Sequence, residues 1–266
     1  MSRHLIRTWG TGLVVAAAMA IGGTSASGAG VNISAVQTQS LNVDLTALGN
    51  QDWIIWGEGS SIDLSGSDSM SGGSGISGLT QVTNGSGMRG LGQFGNYGAS
   101  SFNWSNGTSS ATGAGVWGGI QNQSGYGFDC STSGVGACGE GFDVSATADG
   151  GFQTLTLFGD VHAGTAQITA SFSDNSITPQ TYDLLDFGSN LPYTMTFAFQ
   201  GNAGAKLDIS VLMTSNYNDD GTGTGNVAIQ AAALSQTTAP APEPASLMLA
   251  GLGLLGFAAQ RLRRRA

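Results

Sequence analysis

Basic residues are almost missing from the body of this 266-residue chain. Six of the eight Lys and Arg lie in the two ends, at Arg3, Arg7, Arg261, Arg263, Arg264 and Arg265. Between them stand only Arg89 and Lys206 against sixteen acidic residues, a net charge of −14, the seventeenth acid being Glu243 in the C-terminal end. Such a surface repels phosphate backbones, which excludes nucleic acid as a partner, and it gives anionic lipid no basic patch. Divalent cations and neutral polymers remain compatible with it. Histidine is scarce too: apart from His4 there is only His162. That excludes His-rich zinc sites and leaves any Ser-His-Asp arrangement dependent on one residue, with no nucleophile elbow around a serine. The expectation is a protein that is not an enzyme. A glycan-active hydrolase is the alternative, because sixteen carboxylates offer pairs of the kind that cleave glycosides.

The two ends are targeting segments. Arg3, His4 and Arg7 precede an apolar run from Leu13 to Ile21, and small residues follow with cleavage options after Ala26 or Ala29, the pattern of a signal peptide over residues 1–29. A run this short is below the ~20 apolar residues that normally span a bilayer. At the other end a Thr/Ala/Pro linker over 237–241 leads into Pro242, Glu243 and Pro244, then an apolar stretch from Ala245 to Ala259, then the arginines. A helix of ~15 residues spans only ~22 Å, so it crosses the inner membrane with Arg261 snorkelling and leaves the arginines in the cytoplasm. The body then lies on the far side.

Pro242-Glu243-Pro244-Ala245-Ser246-Leu247, the Gly/Leu/Ala-rich helix and the terminal arginines resemble the tripartite PEP-CTERM sorting signal of Gram-negative bacteria, over residues 242–266. The resemblance implies that a membrane exosortase processes the chain near Pro242, Glu243 and Pro244, after a transient inner-membrane stage. It also implies delivery to the cell envelope, surface or extracellular matrix of a cell that makes an extracellular polysaccharide.

Helical periodicity is absent between the ends, and period-two alternation takes its place. Ala166, Ile168, Ala170 and Phe172 alternate with polar residues, as do Tyr193, Met195, Phe197 and Phe199, then Leu207, Ile209, Val211 and Met213, then Val227, Ile229 and Ala231. Each reads as an antiparallel strand with one buried face. Shorter candidates are 31–36, 41–45, 53–56 and 142–147. Together they predict an all-β ectodomain over 30–236, an antiparallel β-sandwich of jelly-roll type. Residues 57–127 hold 20 Gly, yet Phe94, Tyr97, Phe102, Trp104, Trp117 and Tyr126 interrupt them, so long ordered loops with short strands are expected. The body also resembles the ectodomains of a group of PEP-CTERM proteins. The resemblance rests on Asp52-Trp53, Trp56-Gly57, Gly141-Phe142, Ala148-Asp149, the run from Ala170 to Asp174, and the run from Gly225 to Ala231. It implies a fold and an address but no activity.

Four groups of side chains are candidates for specific roles. Cys130 and Cys138 are the only cysteines, and export makes a disulfide between them the expectation, a local staple worth about 2.5 kcal/mol. Asn216, Asn218, Asp219, Asp220 and Asn226 crowd one Gly-rich segment with oxygen donors that suit calcium, although the same residues serve ordinary hairpin turns. Calcium is the one cofactor expected. Trp104 and Trp117 sit in polar, Gly-rich surroundings where they either stack on sugars or fill a core, whereas Trp53 and Trp56 differ in parity and belong to packing. Outward positions of the strands are chiefly Gln, Thr and Ser, with Lys206 and Asp208 as exceptions. The functional expectation is a non-catalytic envelope or matrix protein associated with exopolysaccharide, or a carbohydrate-binding module with a defined ligand.

Overall fold

The computed structural model describes residues 29–58, 62–83, 90–93, 100–123, 139–186, 190–216 and 225–236. Both targeting segments, Cys130, Cys138 and residues 217–224 lie outside these. Among the described residues, sixteen strands and one helical turn follow one another: β1 (Gly30–Gln37), β2 (Asn42–Asp44), α1 (Leu45–Leu48), β3 (Asp52–Ile55), β4 (Asp68–Ser69), β5 (Thr80–Val82), β6 (Gly90–Gln93), β7 (Ser101–Ser105), β8 (Thr112–Val116), β9 (Ile120–Gln123), β10 (Gly141–Thr147), β11 (Gln153–His162), β12 (Gly164–Phe172), β13 (Gln180–Leu185), β14 (Asn190–Gln200), β15 (Lys206–Asn216) and β16 (Asn226–Gln236). The expected strand at 41–45 ends one residue early. Asp44 accepts the Ala47 amide proton at 3.0 Å and so caps α1.

Two sheets face each other. One runs β1-β14-β11-β16-β3-β4, with β9 paired to the first half of β16 and β6 paired to β9; the other runs β13-β12-β15-β10-β5. All their pairs are antiparallel. The alternating apolar residues meet between them: Met195 and Phe197 of β14 and Leu155 of β11 on one side, Ile168 of β12 and Ile209 and Val211 of β15 on the other, all fully buried. This is the sandwich that period-two patterning predicts, since each strand buries one face and wets the other.

β16 departs from that pattern. Val227 and Ile229 point into the shared core, but so do Ala232 and Leu234, while Ala231 and Ala233 face the opposite way. A bulge is the cause: Phe158 pairs with Ala231 and Gly159 with Ile229, leaving Gln230 as the extra residue and reversing the parity beyond it. Sequence alternation through Ala231 therefore assigns that residue to the wrong face. Gln230 is fully buried, and it donates from Nε2 to the Gly118 carbonyl at 3.0 Å.

A third sheet, β2-β7-β8, lies over the outer face of the larger one, with β2 parallel to β7. It creates a second core of Leu45, Trp53, Ile55, Phe102, Trp104 and Phe158 with Ala231 and Ala233. β16 is thereby covered on both faces, which explains its near-continuous burial and its small side chains.

Buried carboxylates tie the Gly/Ser-rich stretch together alongside its buried Leu79, Phe102, Trp104 and Ile120. Asp68, 1% exposed, accepts from the amides of Ser69, Ser109 and Ser110 at 2.8–2.9 Å and from the Thr108 hydroxyl at 3.2 Å. Asp52, 4% exposed, accepts the Ile76 amide proton at 2.8 Å. Glycine completes the fit where the indole of Trp104 passes: a Cβ at Gly113 would overlap that ring.

Candidate functional site

The outer face of the five-stranded sheet carries a polar concave surface. Because Val144, Ile168, Ala170 and Ile209 turn into the core, their neighbours Asp143, Ser145, Thr169, Ser171, Asp208 and Ser210 turn outward. Register places them side by side: Asp143 opposite Ser210, Ser145 opposite Asp208, and on the other flank Thr169 opposite Ser210 and Ser171 opposite Asp208. With Ser77 and Thr80 they line a cleft of about 400 Å³. Asp143 and Asp208 are diagonal neighbours, so their Cβ atoms lie roughly 7 Å apart. Partial burial pushes the Asp208 carboxyl above its ordinary value, Lys206 pulls it back, and Asp143 pushes it up again. The face thus presents closely spaced hydroxyls with two carboxylates at its centre, a set that donates to and accepts from polyols.

A second cleft, of about 500 Å³, lies on the outer face of the larger sheet. Leu41, Val43 and Leu48 form one wall, and Phe158 with Thr156 and Thr194 form the other. Its walls are mainly apolar, and nothing in the structure identifies an occupant.

The sequence candidates separate in space. Trp104 is 3% exposed, stacks at 5.5 Å on Trp53, and donates from Nε1 to the Ser110 carbonyl at 3.1 Å. Of the two roles open to it, the structure gives Trp104 the core role, because a ring this buried offers no face to a sugar. Trp117 is 41% exposed and keeps an accessible ring. Trp53 and Trp56 are fully buried in different cores, as their parity requires. Of the calcium candidates, Asn218, Asp219 and Asp220 lie outside the described residues. Asn216 ends β15, and Asn226 begins β16, 7% exposed, with its Oδ1 unbonded. Cys130 and Cys138, and Pro242, Glu243 and Pro244, also lie outside the described residues. No helix among the described residues is long and apolar enough to cross a membrane.

Asp143, Ser145 and their partners were legible only as generic outward Ser, Thr and Asp. Strand register, which no single strand encodes, is what gathers them.

The family model described as the PEP-CTERM protein-sorting motif matches residues 240–265, beginning two residues ahead of Pro242. The match identifies the C-terminal end as that sorting signal and the chain as one exported and sorted by exosortase. No curated protein matches the chain.

Proposed function

We propose that this PEP-CTERM sorting-signal protein is a non-catalytic component of the cell surface or extracellular matrix that holds exopolysaccharide on the outer face of its five-stranded sheet. The single observation carrying the reading is the cleft of Ser, Thr and Asp side chains across β10, β12 and β15. Sugar hydroxyls are both donors and acceptors, and Ser and Thr hydroxyls match them without a charge penalty. Each contact is weak, and many copies along one polymer raise the avidity. The strand orders also support reading the sandwich as a jelly roll. β16 lies between β9 or β3 and β11, with β14 beyond; the other sheet runs β10, β15, β12 and β13, and β9, β16 and β11 meet β10, β15 and β12 in turn.

The test is affinity electrophoresis in gels containing the producing organism's own polysaccharide. The exported protein should be retarded, and Asp143→Ala with Asp208→Ala should migrate as in a polymer-free gel while melting at the parental temperature. Trp117→Ala reports whether the exposed indole adds a stacking contact. Absence of retardation for the parent protein would leave a purely structural surface role.

A glycan-active hydrolase is the second reading, favoured by the diagonal Asp143 and Asp208, whose spacing falls in the ~5 to 9 Å range of paired glycosidase carboxylates. Release of reducing ends from the polysaccharide, abolished by Asp208→Asn, would replace the binding role with this one.

Processing at the sorting signal gives a further expected result. In a host with the matching exosortase, mass spectrometry of the surface protein should find residues 261–266 removed, and replacing Pro242, Glu243 and Pro244 by alanine should leave them attached. Arginine-bearing C-terminal peptides on the mature surface protein would contradict it.

A further inference from the structure

The ladder between β11 and β16 ends in a group of buried acceptors. Phe158 faces the second core and Val161 the first, so alternation places Asp160 and His162 on the same side as Phe158. On β16 the inward Val227 leaves Asn226 on that side, and Asn226 is the direct register partner of His162. Opposite residues in such a ladder have Cβ atoms ~5 Å apart, and Asp160 follows ~7 Å along its strand, so one small ion can reach all three side chains.

All three carry unbonded buried atoms. Asp160 is fully buried and neither carboxylate oxygen has a partner; Oδ1 of Asn226 and Nδ1 of the half-buried His162 are equally unpaired. None of these atoms is bonded to another of the three residues, so the group does not satisfy itself. Buried acceptors left without donors are strongly unfavourable, whereas a cation satisfies them together.

We propose that Asp160, His162 and Asn226 bind a first-row divalent cation of the Mn²⁺ class. Two oxygen donors and one imidazole nitrogen, arranged on one face with the remaining positions open, fit an ion that accepts mixed O/N ligands in octahedral geometry. Calcium takes oxygen ligands and has no use for His162. The anionic body of the protein favours accumulation of such a cation. The site is separate from the cleft on β10, β12 and β15, and it does not depend on the glycan reading.

The experiment uses the exported protein stripped with chelator and then titrated with Mn²⁺ or Ca²⁺. Electron-spin resonance counts bound Mn²⁺, and thermal melts record the stabilisation that follows from binding the native state alone. The expected result is one bound Mn²⁺ per chain and a melt raised by several degrees. Both should be lost in His162→Gln and Asp160→Asn and retained in Asp219→Ala with Asp220→Ala. Asp160→Asn is isosteric, His162→Gln keeps a polar side chain of similar length, and each variant's chelated melt establishes that it is folded. No bound Mn²⁺, binding that survives His162→Gln, or binding that disappears only with Asp219 and Asp220 would each overturn the proposal, the last in favour of an ion site on the 216–226 loop.

Discussion

Asp68→Ala should lower the stability of the ectodomain by at least about 3 kcal/mol, the largest loss expected of any single polar truncation outside the main core. The carboxylate accepts the Ser109 and Ser110 amide protons and takes those of Ser69 and the Thr108 hydroxyl besides, all from a position 1% exposed. Hydrogen bonds to a charged acceptor each contribute ~1.5 to 3 kcal/mol, and truncation leaves several donors without a partner. The consequence spreads, because the Ser110 carbonyl holds the Trp104 indole and Trp104 stacks on Trp53 at the centre of the second core. Asp68→Asn should fall between parent and alanine, since an amide oxygen in the Oδ1 position still accepts from Ser69, Thr108 and Ser109 and only the Ser110 amide loses its acceptor. Denaturant melts give the ranking. Amide exchange at Ser109 and Ser110 should rise far more in the alanine variant than exchange at Ile168 or Val211. Equal acceleration everywhere would mean that Asp68 stabilises the fold only globally, not as the local tie of this loop.

Much of the sandwich was legible because one physical rule governs its long strands. β12, β14 and β15 each bury one face, so their apolar residues recur every second position, and all twelve of the alternating residues named for them are buried. The rule weakens where a strand is covered on both sides. In β16 alternation holds only as far as Gln230, whose bulge is set by pairing with β11 and β3 and leaves no local signal beyond a glutamine in an alanine run. Trp104 shows the same limit from the other direction. Its Gly/Asn/Ser neighbours leave stacking and packing equally open, and Gly113, nine positions further along the chain, supplies the space that buries it. The carboxylates of Asp52 and Asp68 look like any loop aspartates until the chain folds back to bring amide protons to them. The polar cleft is harder still to read, because its residues come from three strands adjacent in the sheet and distant in sequence.

In chelator, Asp160→Asn should melt well above the parent protein at pH 8 and converge with it toward pH 4. Asp160 is fully buried; burial first, and the nearby Asp186 second, push its carboxyl from the ordinary 3.8 up to about 8. Among the described residues, the titratable groups around it are Asp186, whose Oδ2 accepts the Ala163 amide proton at 2.9 Å, His162 on the same strand face, and Tyr193, whose hydroxyl is itself pushed up by burial and by Asp160. Below pH 3.8 the carboxyl is protonated in folded and unfolded chains alike, so it adds no difference between them. From there to about pH 8 the unfolded chain releases the proton and the folded chain keeps it, so stability falls as pH rises. Near pH 8 and above, the accumulated loss is on the order of 5 kcal/mol, from ~1.4 kcal/mol for each pH unit traversed. Asparagine has the same shape and no proton to release, so the variant lacks this slope and keeps the stability the parent loses. Mn²⁺ should reverse the order at pH 8: a bound cation compensates the carboxylate in the parent and finds none in the variant. Melts from pH 4 to 9, with chelator and with Mn²⁺, measure both effects. Parallel pH profiles for parent and variant in chelator would mean that the Asp160 carboxyl is ionised at no cost, and that solvent rather than protein surrounds it.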